Sequence, residues 1–239
     1  MALPDVPRRR LVGAMAGAAL IAPAGLWAQA DKGSHQGEQK EVGAVEDLMR
    51  EHGILRRILL VYAEMAPRIE RGERNFDAGA IHQAATLFRS FGEDYHEKKL
   101  EEENIFPAIR TAVLPLAEMT RILSLQHERG REITDHILGA TAEGKIQTGL
   151  EKPMAQQLRA LVRMYQNHAA REDTILFPAW KKTLTQPELA QISDKFEGIE
   201  KQTFGTDGFD DAAKKIDDIE IRLGLHDVGR FTAPAPTLK

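Results

Sequence analysis

Four histidines are the residues of this chain whose type and spacing best suit them to chemistry. Each lies on a stripe of mostly apolar residues that recurs every three or four positions, as on a helix face packed in a core. They are His52, His96, His127 and His168. The chain contains no cysteine, which excludes disulfides, thiolate metal sites, iron–sulfur clusters and covalently attached haem. Because imidazole is the commonest metal ligand in proteins, the pattern indicates a metal site built from nitrogen and oxygen ligands.

A glutamate accompanies the last of these histidines. His168 and Glu172 are four residues apart and therefore project from one face of a helix. A buried carboxylate is costly unless its charge is compensated. Four imidazoles at one depth of a core would repel one another if protonated and would need partners if neutral. A shared cation resolves both problems. The alternative is a structural bundle without metal, because a single core histidine is more often a packing residue.

Four long segments that have the composition of helices position these residues. Strong helix formers dominate them, and valine and isoleucine are sparse. Short connections make neighbouring helices antiparallel, so we predict an all-α fold, an up-and-down four-helix bundle over residues 42–183. The predicted helices are 42–72, 78–112, 116–143 and 152–183. Residues 184–239 are expected to form short C-terminal helices, opened by a capping box at Thr185, and an irregular tail.

The first thirty residues have the organisation of an export signal. They contain three consecutive arginines, an apolar stretch and the small-x-small motif Ala28-Gln29-Ala30, after which signal peptidases cut. The paired arginines resemble a twin-arginine signal. We therefore expect residues 1–30 to direct export, to a bacterial periplasm, and residues 31–41 to be a linker. An uncleaved membrane anchor is the alternative, which the shortness of the apolar stretch disfavours.

The charge pattern limits the partners. The formal net charge is −4, and no polybasic face is evident, so we expect neither nucleic acid nor, after signal cleavage, a membrane as a partner. No nucleophile–base pair, phosphate loop or dinucleotide fingerprint supports a hydrolase or a dehydrogenase. The sequence leaves the oligomeric state open.

Four separated motifs resemble the hemerythrin-like, or HHE cation-binding, domain. The motifs are Glu51-His52, Tyr95-His96-Glu97 with Glu101 to Pro107, Gln126 to Arg131, and His168-x-x-x-Glu172 with Leu176-Phe177-Pro178. The resemblance covers about residues 42–182 and implies a bundle around a non-haem iron site, usually of two irons. The ligands it implies are His52, His96, Glu101, His127, His168 and Glu172.

This resemblance implies two classes of function. In the first, the iron centre binds dioxygen, nitric oxide or iron itself. In the second, it is an enzyme centre that reduces peroxide or nitric oxide, or oxidises Fe(II). The preference for iron over zinc or manganese rests on the resemblance alone, since nitrogen and oxygen ligands serve all three metals.

Two departures from the family pattern affect the ligand set. His96 and Glu101 are five residues apart, where four would be regular. Both point inward if a π-bulge absorbs one residue between them. In a regular helix, Glu97 and Glu101 would be the inward pair, so Glu97 is kept as a candidate ligand. At position 131, where oxygen-carrying hemerythrins have a second histidine, this chain has Arg131. The site is thus richer in carboxylates, which weakens the argument for reversible oxygen carriage.

Residues near the expected ligands have less specific interpretations. Tyr62 and Tyr165 lie on inward stripes and are expected either to donate hydrogen bonds near the site or to pack in the core. Glu102 and its charged neighbours are most simply a solvated helix face.

Overall fold

The computed structural model describes residues 42–237, and the regular secondary structure of this range is helical throughout. No strand occurs among these residues, and the predicted all-α bundle with additional C-terminal helices is confirmed. The predicted export signal, residues 1–30, and the predicted linker, residues 31–41, lie outside the described residues.

Four antiparallel rods form the bundle, and two of them change helix type along their length. The first and third rods are each a single α-helix, and the third is preceded by the 3₁₀ turn Leu114–Leu116. The second and fourth rods each consist of an α-helix, a π-helical segment and a second α-helix. In chain order they are α1 (Ala44–Glu70); α2 (Ala78–Leu87), the first π segment (Phe88–Ile105) and α3 (Phe106–Ala112); α4 (Ala117–Thr141); and α5 (Glu151–Arg171), the second π segment (Glu172–Leu176) and α6 (Phe177–Lys181).

The first π segment confirms the predicted π-bulge and extends it. A single extra residue was expected between His96 and Glu101, whereas the whole stretch Phe88–Ile105 is π-helical. The wider turn lets both side chains face the bundle axis, although they are five residues apart, and both are buried. The second π segment was not expected, because His168 and Glu172 have regular α-helical spacing.

Two further helices pack against the bundle. They are α7, Gln186–Phe204, and α8, Gly208–Leu223. The capping box predicted at Thr185 is present, since its side chain accepts the N–H of Glu188 and the Glu188 side chain returns to the Thr185 N–H. The ring of Phe204 lies edge-on to Tyr95 of the first π segment, with 5.0 Å between the ring centroids. The pair of helices α7 and α8 therefore packs against the rod that carries His96.

An apolar core fills the bundle above and below the level of the four histidines. Within residues 42–237, no helix combines the length and the apolar character that a membrane crossing requires.

Candidate metal centre

The six side chains that the family resemblance implies as ligands meet at one level of the bundle. Each histidine comes from a different rod, and the two glutamates come from the π segments. All six are at most 3 % exposed: His52, His96, Glu101, His127, His168 and Glu172. Their nitrogen and oxygen atoms form two clusters, within each of which all ligand atoms lie no more than 4.8 Å apart.

Glu101 belongs to both clusters. One of its oxygens, Oε1, lies 3.3 Å from His96 Nε2, and the other, Oε2, lies 3.3 Å from His127 Nε2. The carboxylate thus stands between two pairs of histidines, His52 with His96 and His127 with His168. Each pair of histidines therefore has one oxygen of this carboxylate close to it.

Glu172 is the second carboxylate of the cluster. Its Oε2 is 3.0 Å from His168 Nε2 and 3.4 Å from His52 Nε2, so this carboxylate also contacts one histidine of each pair. His127 Nε2 and His168 Nε2 approach within 3.1 Å. Two neutral imidazole nitrogens at that distance either share a proton or turn their lone pairs toward a common cation.

The unsatisfied polar atoms of this cluster fit a bound cation. Among the described residues, no hydrogen-bond partner is found for either carboxylate oxygen of Glu101, for either oxygen of Glu172, or for His96 Nε2. Buried carboxylate oxygens without partners are strongly unfavourable. Their shared direction toward the centre of the bundle is accounted for by metal ions that they and the imidazoles would coordinate.

The Nδ1 atom of each imidazole, its outer nitrogen, also has a polar neighbour. An oxygen atom lies 2.7–3.0 Å from every Nδ1, in the pairs His52–Asp173, His96–Glu51, His127–Glu102 and His168–Gln126. Each Nδ1–H can donate to this oxygen, which leaves the Nε2 lone pair directed into the centre. These contacts orient the four imidazoles and favour the tautomer that metal coordination requires.

Charge in the cluster favours a cation. Burial alone would lower the pKa of His52, but its hydrogen bond to Asp173 and the nearby carboxylate of Glu172 outweigh burial and raise the pKa. Glu172 behaves in the opposite way, since burial would raise its pKa and the adjacent His168 and His52 lower it far below the ordinary value. The carboxylates thus stay ionised and attract positive charge, which is a proton on imidazole or a metal ion between them.

Glu97 is buried beside the cluster, and its atoms belong to neither group of close ligand atoms. Its Oε1 accepts a hydrogen bond of 2.7 Å from the hydroxyl of Tyr165, and its Oε2 is 3.7 Å from the guanidinium of Arg131. Glu97 and Tyr165 line a cavity of about 10 Å³ together with all of the candidate ligands except His127. Coordination by Glu97 remains a prediction.

The two tyrosines on inward stripes differ in their surroundings. Tyr165 reaches the centre, as expected of a hydrogen-bond donor near the site. Tyr62 is buried against Phe88, with 6.4 Å between ring centroids, and does not line the cavity. The close approach of Tyr165 depends on Gly130, because a Cβ atom at that position would lie 2.1 Å from the tyrosine hydroxyl oxygen.

Sequence reasoning missed the outer partners of the histidines. Glu102 was expected on a solvated face, but it faces His127 and also pairs with Arg131 and Lys98. A signal was present in the sequence. Both candidate glutamate ligands are followed directly by an acidic residue, in Glu101-Glu102 and in Glu172-Asp173.

The family described as "Hemerythrin HHE cation binding domain" matches residues 43–180 of this chain. Uncharacterised proteins of Mycobacterium bovis and of Mycobacterium tuberculosis are each 40 % identical to it over 196 residues, which is 82 % of this chain and 76 % of each relative. No solved structure gives a significant match.

Proposed function

Because this chain belongs to the hemerythrin HHE cation-binding family and has a buried centre of histidine and glutamate, we propose that it holds two non-haem iron ions and binds a small ligand at them. The ligand classes are dioxygen, nitric oxide or further iron. The observation that carries this proposal is the position of Glu101, whose two carboxylate oxygens face histidines of two different pairs. A single ion would leave one of those pairs without a cation.

The cavity supports a small ligand. Its volume of about 10 Å³ is comparable to the space that one water molecule needs. A space of this size favours a small ligand over a large one. When bound, iron supplies redox chemistry and an open coordination position. The aromatic rings of Phe177 and Phe106 stack on His52 and His127, with 5.5 Å between centroids in each pair, and keep water away from the centre.

The first test is the metal content of the purified protein together with its optical spectrum. We expect close to two irons per chain and the charge-transfer absorption of a bridged iron pair. The variant Glu101→Gln should hold at most one iron, because an amide cannot bridge two cations as a carboxylate does. Glu103→Gln is the matched control, since Glu103 is exposed two residues away, and it should retain both. Protein that takes up no iron even after anaerobic Fe(II) reconstitution would refute the proposal.

A second candidate function is an enzyme that reduces peroxide or nitric oxide, or oxidises Fe(II). The observation that favours it is the buried pair of Tyr165 and Glu97 at the cavity wall. A carboxylate that faces the cavity and is held by a phenol hydroxyl can accept a proton from a ligand or deliver one to it. Arg131, near the other carboxylate oxygen, would stabilise the negative charge that remains.

Rapid mixing of the reduced protein with dioxygen, peroxide and nitric oxide separates the two functions. A stable, reversible adduct supports a binding protein, and repeated turnover supports an enzyme. In the enzyme case, Tyr165→Phe should slow turnover and leave the iron content unchanged, because phenylalanine keeps the ring that packs against His168, with 5.3 Å between centroids, and loses only the hydroxyl that donates to Glu97.

A further inference from the structure

The centre consists of two halves that match position by position. One half is α1 with the first π segment, and the other is α4 with α5 and the second π segment. In each half, one rod has a histidine preceded by a hydrogen-bond acceptor, and the other rod has a histidine followed by a glutamate ligand and a further acidic residue. The matched positions are His52 and His127, His96 and His168, Glu101 and Glu172, Glu102 and Asp173, and Glu51 and Gln126.

The contacts match as well as the positions. The acidic residue of each half crosses to the histidine of the other half and also pairs with the arginine four residues after that histidine. The resulting triads are His52–Asp173–Arg56 and His127–Glu102–Arg131. The phenylalanine that ends each π segment likewise stacks on the opposite histidine, in the pairs Phe177–His52 and Phe106–His127. The two metal positions therefore have nearly the same surroundings.

The two halves differ in the residues that contact the Nδ1 atoms of the remaining two histidines, His96 and His168. His96 Nδ1 lies 2.7 Å from a carboxylate oxygen of Glu51, whereas His168 Nδ1 lies 2.9 Å from the amide oxygen of Gln126. A carboxylate partner raises the basicity of the imidazole and adds a negative charge behind it. A neutral amide orients the ring but adds no charge. His96 is therefore the stronger metal ligand of this matched pair.

We propose that the two metal positions bind their ions unequally, and that Gln126 sets the difference. The position between His52 and His96 fills first and retains its ion, while the position between His127 and His168 fills second and releases its ion first. This inequality presupposes the two-metal centre proposed above. Partners of this kind typically change metal affinity by 10–100-fold, so the two dissociation constants should differ by a factor on the order of 10–100.

The weaker position also borders a surface groove. Gln126 and His168 line this groove of about 530 Å³, whose other lining residues come from the 3₁₀ turn, α4 and α5. Gln126 is only half-buried there. The groove gives an exchanging ion a short path to the His168 side of the centre. It also leaves room for a carboxylate at position 126, so the diagnostic substitution is compatible with the fold.

The test is an anaerobic calorimetric titration of the metal-free chain with Co(II), repeated with Fe(II). We expect two binding steps. Gln126→Glu should tighten the weaker step by roughly 10–100-fold and bring it close to the stronger one. Glu51→Gln should weaken the stronger step by a similar factor. His127→Ala should remove the weaker step and His96→Ala the stronger one, which assigns each step to its position.

Asn167→Asp is the matched control for added charge. Asn167 lines the same groove beside His168, but its side chain is exposed and donates to the carbonyl of Arg163. Its replacement should leave both steps within about two-fold of wild type, since charge at an exposed site is screened. Two equal steps in the wild type, or an equal response to Asn167→Asp and Gln126→Glu, would overturn the unequal binding and leave the two-metal centre intact. If the chain binds fewer than two Co(II) ions and also fewer than two Fe(II) ions, both the unequal binding and the two-metal centre are overturned.

Discussion

Glu93 is a buried carboxylate one turn before Glu97 on the first π segment. Replacing it with glutamine tests how its protonation affects the free energy of unfolding. Thr134 donates a hydrogen bond of 2.7 Å to Glu93 Oε1, and Arg89 Nε lies 3.0 Å from Oε2. Burial, reinforced by the negative charge of Glu97, nevertheless raises the pKa of Glu93 from 4.5 to about 8. The folded protein thus holds a proton on Glu93 at pH 7 that the unfolded chain has released.

The magnitude follows from this difference in proton binding. Between pH 4.5 and about pH 8, the folded protein carries one proton more than the unfolded chain at this position. The free energy of unfolding therefore falls by about 1.4 kcal/mol for each unit of rising pH. At pH 7 the accumulated loss is roughly 3 kcal/mol. Glutamine has the shape of the protonated acid and does not titrate, so Glu93→Gln should be the more stable protein at neutral pH.

The assay is chemical denaturation of the metal-free wild type and variant, in the presence of a chelator, across neutral pH. The stability difference between them should grow by about 1.4 kcal/mol per pH unit. Asp94→Asn is the control, because Asp94 is the exposed neighbour of Glu93, and the stability difference between this variant and wild type should stay nearly constant with pH. A difference between Glu93→Gln and wild type that does not change with pH would show that Glu93 is ionised in the folded protein and would refute this reasoning.

Two further substitutions test local packing and capping by the same measurement of unfolding free energy. Gly130→Ala should destabilise the protein by about 1–3 kcal/mol, because the added Cβ would collide with the Tyr165 hydroxyl. Gly139→Ala is the control in the same helix, where no atom lies within 4 Å of the added Cβ. It should stabilise the protein by up to about 1 kcal/mol. Thr185→Ala should cost about 1 kcal/mol by removing the cap of α7, and an unchanged stability would show that the cap contributes nothing.

The bundle could be predicted from the sequence because its helices are long and strongly patterned. The stripes of apolar residues, the Asp77 cap that accepts the Ala80 N–H and the capping box at Thr185 all mark helix positions locally. The arrangement of α7 against the first π segment could not be predicted in this way. It depends on the contact of Phe204 with Tyr95, which joins residues that are far apart in the chain and have no local signal.

The cluster was predictable to the extent that its histidines lie on those stripes. The inward direction of His52 and His127 follows from helical periodicity alone. The hydrogen bonds behind the imidazoles do not, because each joins residues on two different rods. A sequence shows that Gln126 precedes His127, but it does not show that Gln126 accepts a hydrogen bond from His168. That information depends on the relative rotation of α4 and α5, which packing of the whole core determines.

Both π segments end at a Phe-Pro pair, and this gives a physical reason for the second π segment, which the residue spacing did not reveal. The N–H groups of Phe106 and Phe177 donate to the carbonyls of Glu101 and Glu172, five residues earlier. The proline that follows each phenylalanine lacks an N–H, and in a regular helix its ring would collide with the carbonyl four residues back. A wider turn before the proline moves that carbonyl away.

This wider turn also has a consequence for the chemistry. Consecutive side chains on a π-helix are separated by a smaller rotation about the helix axis than on an α-helix, because one turn contains more residues. Glu101 can therefore face the centre of the histidine cluster while Glu102 contacts the outer nitrogen of His127. Glu172 and Asp173 do the same with respect to His52. In a regular helix the rotation between neighbours is about 100°, so the two carboxylates of each pair would diverge more. The Phe-Pro pairs thus position both the ligand carboxylates and the carboxylates that orient the opposite histidines.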